Sequence, residues 1–226
     1  ALPIYFLDDL PEFKCYYKEN FRRIDNFKTY VALDRSFNFY YQYNLSLLSN
    51  ISQVNYFSPL KNETVNDADM VYIGGGYPEI YKEKLSMNRK TIDSLIDSFN
   101  NGKIIYGECG GLMYLSKEII SKDRKYPMAG IFSSSIIENS GLTLGYTYLK
   151  ANKDYFFLKK GETLKGHEYH YSSMLNGKNF ALNVLMGKGV NGYDGLMNKR
   201  AFAQYTHIHF FPYRRKIIKY LEKIYK

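Results

Sequence analysis

Cysteine is scarce in this chain, with only Cys15 and Cys109 among 226 residues. Two thiols so far apart make no disulfide framework, and no C-x-x-C pair suggests a thiolate zinc site. A reducing cytoplasm is the expected compartment. Long apolar runs are missing too. None approaches the ~20 residues that a bilayer span requires, so no membrane partner is expected. The opening ALPIYFLDDLPEF lacks a basic segment followed by an apolar stretch, which argues against a signal peptide. It also lacks an initiator Met, the expectation for a piece cut from something longer. Neither G-x-x-x-x-G-K-[ST] nor G-x-G-x-x-G occurs, so no nucleotide phosphate loop is supported. Acidic residues are the minority, 22 against 31 Lys and Arg, for a formal charge of +9. Such an excess can serve nucleic acid. Here the basic residues are scattered, and the densest run, Arg214-Arg215-Lys216, falls in a C-terminal helical pattern. A solvated basic face is the reading, with no nucleic-acid partner.

The chain does have enough apolar residues, 45%, for a substantial core. Residues 1–28, with Pro3 and Pro11 and no clear period, read as a linker or the tail of an upstream domain. From there strands and helices alternate. The predicted strands are Thr29–Asp34, Gln53–Phe57, Met70–Ile73 and Lys103–Gly107. The predicted helices are Phe39–Asn50, one near Glu79–Leu85, and Arg89–Asn101 closed by Gly102. Such alternation implies α/β, a mostly parallel central sheet flanked by helices on both faces. Beyond Lys125 the texture changes. Tyr126–Phe132, Leu142–Leu149, Phe180–Met186 and Ala201–Thr206 read as strands between Gly turns, adding antiparallel strands in the C-terminal half. A basic amphipathic helix follows Pro212.

The most informative segment is Lys103–Leu115, KIIYGECGGLMYL. A buried strand meets Gly107-Glu108-Cys109-Gly110-Gly111 and gives way at once to a helical pattern. This is the strand–turn–helix of a nucleophile elbow, with Cys in the place of Ser in G-x-S-x-G. The helix N-terminus is expected to favour a thiolate, and the Gly110 N–H to face an oxyanion. The competing reading is a buried cysteine that merely follows a strand, and the flanking glycines weigh against it. A thiol nucleophile needs a base, usually imidazole. All four histidines lie in two clusters, His167 and His170 in GHEYHYS, and His207 and His209 in QYTHIHF. His207 follows the strand Ala201–Thr206 and is the expected base, with His209 as its orienting partner. The alternatives are packed histidines, or a metal site from His-x-His plus His-x-x-His, which would leave the elbow cysteine unexplained. Finally, Gly74-Gly75-Gly76 ends a strand and can expose backbone N–H groups to an oxyanion; its alternative is a plain flexible turn.

Together DRSFNFYYQYNLSLL (34–48), FSPL (57–60), DADMVYIGGGYPEIY (67–81), IIYGECGGLMYL (104–115), GHEYHYS (166–172) and QYTHIHF (204–210) resemble the class I glutamine amidotransferase domain of the cobyrinic acid a,c-diamide synthase family. The resemblance runs over about residues 29–210. It implies a flavodoxin-like fold for residues 29–226. It also implies that Cys109 attacks the glutamine carboxamide, with His207 as base. Many class I members carry Glu two residues after that His; His209 stands there instead, implying a dyad with an orienting His. By the same resemblance Gly75 or Gly76 joins Gly110 in the oxyanion hole, and His170 and Tyr171 hold the amino-acid end of glutamine. No cofactor is expected in this chain. Mg-ATP belongs to an N-terminal domain of the family, absent here, through which the corrinoid is engaged. Residues 1–28 are then a linker or the tail of that ATP-binding domain. Nickel-sirohydrochlorin a,c-diamide synthase and cobyric acid synthase share these motifs and stand as alternatives. A non-catalytic module that docks a partner through its basic face is the alternative of another kind.

Overall fold

The computed structural model describes residues 21–122 and 124–225. Cys15 and most of the predicted linker lie outside them. The elements in chain order are β1 (Lys28–Ala32), α1 (Gln42–Ile51), β2 (Gln53–Phe57), β3 (Met70–Ile73), α2 (Lys82–Met87), α3 (Arg89–Asn100), β4 (Ile104–Glu108) and α4 (Gly110–Leu115). Then follow β5 (Glu118–Ser121), β6 (Arg124–Pro127), β7 (Ser135–Ile137), β8 (Thr143–Ala151), β9 (Thr163–His170), β10 (Ser173–Leu175), β11 (Phe180–Met186), β12 (Tyr193–Asn198), β13 (Ala201–Gln204) and α5 (Arg214–Tyr225).

A nine-stranded sheet runs in the order β2-β1-β3-β4-β13-β12-β11-β8-β9. Its first five strands are mutually parallel, as the strand–helix alternation predicts. The remainder is antiparallel. A smaller sheet, β10-β7-β5-β6, packs beside it. The short apolar runs of β3 and β4 are continuous because both faces of a parallel sheet are covered. Along β3, Met70 and Tyr72 face one core together with Leu47, Leu48 and Ile51 of α1 and Ile217 and Leu221 of α5. Val71 and Ile73 face the other core, with Ile92 and Leu95 of α3 and Leu112 and Leu115 of α4. Each such buried Leu or Ile contributes about 1.5–3 kcal/mol.

The packed body begins before the predicted boundary at Thr29. Ile24 and Phe27 are buried. The Ile24 N–H donates to the Ile51 carbonyl and the Phe27 carbonyl accepts from Gln53 N–H. Five strands escaped the sequence reading: β5, β7, β9, β10 and β12. Of these β9 matters most. Its inward positions are Leu164, Gly166, Glu168 and His170, so the strand carries no apolar alternation. It lies at the sheet edge yet curls back, and His167 forms an antiparallel bridge with His207. That bridge brings β9 over the carboxyl ends of β4 and β13, where sites in such sheets form.

Candidate active site

The elbow is built by close backbone approach. Cys109 has φ 49° and ψ −100°, a conformation rare for a residue with a side chain. Its N–H donates to the Gln204 carbonyl at 2.8 Å, tying the turn to β13, and Gly111 N–H donates to the Gly74 carbonyl at 2.9 Å. A Cβ on Gly111 would lie 2.0 Å from the Ile73 carbonyl oxygen, so only glycine lets α4 approach β3. The result is a buried sulfur at the floor of a cleft of about 390 Å³, counting its open mouth. The cleft wall includes Gly76, Tyr77, Glu79, Tyr169, His170 and Tyr171. Cys109, Gly76, His170 and Tyr171, far apart in sequence, thus share one cavity.

The thiol is not pre-activated. Burial pushes the Cys109 thiol up to about 12, with the charge of Glu79 adding to the effect. The Gly110 N–H aimed at the sulfur pulls the other way and loses. The expected thiolate bias of the helix N-terminus is therefore outweighed by desolvation. The thiol donates to the Tyr169 carbonyl at 3.5 Å.

His207 is buried just beyond the end of β13, its ring pressed against Gly75; a Cβ there would sit 2.4 Å from His207 Cε1. Burial, and then the neighbouring His167 and His170, depress it to about 3, so the imidazole is neutral at ordinary pH. His167 stacks on it with ring centroids 5.0 Å apart and is itself held by the Tyr41 hydroxyl at 3.0 Å. The predicted orienting role of His209 does not hold. The His209 ring stacks on Tyr43, and its Nδ1 accepts from Phe211 N–H. The group on His207 Nδ1 is instead Glu108, whose Oε2 lies 3.8 Å away. Glu108 is buried and accepts from the Tyr72 and Tyr106 hydroxyls and from the Ile208 N–H. Burial raises it to about 7 against those hydrogen bonds. At that distance there is no hydrogen bond, and Glu108 stands on the Nδ1 side of the ring as a nearby charge.

The oxyanion hole needs a second correction. Gly75 is unsuitable, because its N–H donates to the Phe39 carbonyl at 3.2 Å in an antiparallel bridge. Gly76 lies beside the elbow, where a Cβ on Gly110 would meet its nitrogen at 3.0 Å, and its N–H has no acceptor among the described residues. Gly76 is therefore the glycine of this run whose N–H stays open beside Gly110. His170 is a wall rather than a ligand-facing donor. Its Nδ1 donates to the Ser172 carbonyl at 2.9 Å, its Nε2 faces Glu168 at 3.5 Å, and its ring stacks on Tyr205 at 3.9 Å. Tyr171 stands half-exposed at the mouth, its hydroxyl beside that of Tyr169, which also reaches Tyr77. Below the site, buried Asp194 accepts from the N–H groups of Tyr205 and Thr206 and fixes the segment that delivers His207. Among the described residues no three His, Cys, Asp or Glu side chains form a metal-binding group. Nor is any helix there long and apolar enough to cross a membrane.

Solved structures place this architecture with glutamine amidotransferases. A PurLQS chain from Thermotoga maritima superposes with TM-score 0.66 at 13% identity, covering 89% of this chain and 100% of that one. A glutamine amidotransferase from the same organism gives 0.57 at 13%, covering 88% and 84%. At such identities the likeness is one of fold. The sequence narrows it: the family model for CobB/CobQ-like glutamine amidotransferase domains matches residues 28–214, and the chain belongs to that family. It is 43% identical over 195 residues to the cobyrinate a,c-diamide synthase of Saccharolobus solfataricus, covering 84% of this chain and 45% of that protein. With the Methanocaldococcus jannaschii synthase it shares 43% over 197 residues, covering 84% and 42%. The chain therefore spans less than half the length of these relatives.

Proposed function

We propose that this chain is the glutaminase portion of a cobyrinate a,c-diamide synthase, releasing ammonia for amidation of the a and c carboxylates of a corrinoid. The observation that carries the reading is Cys109 on a strained elbow, with the His207–Glu108 pair at the end of the adjacent parallel strand. His207 Nε2 takes the thiol proton as sulfur attacks the carboxamide carbon of glutamine. The N–H groups of Gly76 and Gly110 hold the oxyanion. Collapse of the tetrahedral adduct expels ammonia with the proton from His207, leaving a γ-glutamyl thioester on Cys109. Water, deprotonated by His207, then attacks the thioester, and glutamate leaves as the thiol is restored. Glu108 steadies the imidazolium formed in each half-reaction.

Mg-ATP, which activates the acceptor carboxylates in this reading, does not fit the residues present. The one glycine run is already engaged: Gly74 N–H donates to the Tyr40 hydroxyl, the Gly74 carbonyl accepts from Gly111, and Gly75 is bridged to Phe39. ATP is assigned to the part of the relatives that this chain does not cover. The 43% identity with named cobyrinate a,c-diamide synthases supports the corrinoid as acceptor.

The test is made in the complete polypeptide. Cys109→Ala and Cys109→Ser are expected to lower glutamine-dependent amidation at least about a thousand-fold, while ammonia as nitrogen donor still supports it. Retention of glutamine hydrolysis by Cys109→Ala would remove the assignment.

A further inference from the structure

The glutamine cleft is lined by two carboxylates that the hydrolytic chemistry does not use, Glu79 and Glu138. Glu79 lines the same cavity as Cys109, Gly76 and Tyr171. It sits on the turn that follows the glycine run, held by Ile80 N–H to the Tyr77 carbonyl and Tyr81 N–H to the Pro78 carbonyl. Its Oε2 is buried and has no hydrogen-bond partner among the described residues. A buried carboxylate oxygen without a donor is costly, and folded proteins seldom tolerate one without a function.

The neighbouring cation does not answer it. Lys82 Nζ lies 3.0 Å from Glu138 and donates to the Glu79 backbone carbonyl at 2.9 Å, so the ammonium is spent on other oxygens. Glu138, the other acid of this cleft, is satisfied by that ion pair and by the Ser121 hydroxyl. Of the two acids lining the cavity, Glu79 alone keeps a carboxylate oxygen without a donor among the described residues. Glutamine arrives with its reacting carboxamide at one end and an α-ammonium at the other. That ammonium is a cation with three donors.

We propose that Glu79 is the receptor for the α-ammonium of glutamine, and so selects an α-amino acid amide over simple carboxamides. The inference rests on the glutaminase reading and names a specificity residue for it. Binding there has a second consequence. The Glu79 charge is, after burial, the largest influence holding Cys109 as a thiol. An ammonium seated on Glu79 cancels that charge, so the correct substrate eases deprotonation of the sulfur that attacks it.

The experiment compares glutamine with glutaramate, which keeps the carboxamide and the carboxylate but lacks the α-amino group. Hydrolysis of both is followed in the complete polypeptide, as wild type, Glu79→Gln and Glu138→Gln. A charge-assisted hydrogen bond predicts a wild-type preference for glutamine of roughly 10- to 100-fold in kcat/KM. In Glu79→Gln this preference should collapse toward parity through a raised KM for glutamine, with glutaramate hydrolysis unimpaired. Glu138→Gln should keep the preference. A wild type that hydrolyses both amides equally well overturns the proposal without any variant. So does a Glu79→Gln enzyme that keeps the preference or loses both activities alike, or a Glu138→Gln enzyme in which the preference disappears. A folded wild type that hydrolyses neither amide and resists labelling at Cys109 by 6-diazo-5-oxo-L-norleucine defeats the glutaminase reading itself, and the inference with it.

Discussion

In the proposed mechanism, proton transfer from Cys109 to His207 accompanies attack on the substrate, because neither group is charged beforehand. Burial holds the sulfur as a thiol and the imidazole neutral. The imidazolium then forms beside Glu108, itself poised at about 7 in a buried pocket. Replacing Glu108 by Gln is expected to lower kcat about 10- to 100-fold, with less effect on KM. The same substitution has a stability signature. In the folded chain Glu108 holds its proton up to about 7, whereas the ordinary value is 4.5. Between those limits the folded state binds the proton that the unfolded state has released. The contribution is fully present below about 4.5 and is lost as pH rises through about 7, a change of roughly 3 kcal/mol. His207 titrates in both proteins and cancels in the comparison. Urea unfolding across this range should find Glu108→Gln gaining on the wild type as pH rises, and a constant difference would show that Glu108 does not titrate there. Glu108 is also where sequence reasoning stopped short. Cys109 and His207 stand out in the sequence because a glycine-flanked turn and a strand end mark them. Glu108 hides inside a strand pattern, 99 positions from the histidine it serves, and only the β4–β13 register brings them together. Gly75 failed for a related reason: a distant carbonyl, that of Phe39, takes its N–H.

At the scale of elements, the active site depends on how closely α4 lies on β3. Gly111→Ala would put a methyl group 2.0 Å from the Ile73 carbonyl oxygen and 3.1 Å from Ile73 Cβ. The oxygen and its carbon belong to backbone in a central strand, which cannot turn aside as a side chain can. The expected cost is about 3 kcal/mol or more, with loss of the elbow geometry. Gly102 is the control. Its φ of +71° strains an alanine, but nothing lies within 4 Å of the added carbon. Gly102→Ala should cost about 1 kcal/mol. Equal losses in denaturant midpoint would show that backbone strain, not the α4–β3 contact, governs both sites. The parallel half of the sheet was readable because its strands are short apolar runs set between helices. Gln53–Phe57 and Met70–Ile73 match their predicted limits. The hairpin of β8 and β9 was readable only in part. β9 buries Glu168 and His170 where a strand normally buries hydrocarbon, and Glu168 is satisfied by the Lys188 and Gly189 N–H groups. Polar burial of that kind leaves no periodicity to detect.

At the scale of the whole molecule, the chain belongs to a glutamine amidotransferase family, and its elbow thiol is engaged away from the proposed base. The Cys109 thiol donates to the Tyr169 carbonyl, and no hydrogen bond joins it to His207 among the described residues. Tyr169 belongs to β9, the edge strand bridged to the site from His167 to His207. A small shift of β9 would therefore release the thiol and move the His207 backbone at the same time. Partner contact is a common means of completing such a site, and it prevents glutamine from being wasted when no acceptor waits. The part of the enzyme that this chain does not cover is the source of that contact in this reading. Labelling of Cys109 by 6-diazo-5-oxo-L-norleucine should be slow in the complete polypeptide alone and about ten-fold faster or more once ATP and the corrinoid acceptor are bound. Mass spectrometry of the Cys109 peptide gives the rate. A disturbed bridge should weaken this response, and Gly166→Ala supplies one, since its Cβ would meet the His207 carbonyl oxygen at 2.3 Å. Equal labelling rates with and without the ligands would mean that the resting thiol–carbonyl contact is no gate. The hydrolytic roles of Cys109 and His207 would stand, and the control of ammonia release would have to lie outside this chain.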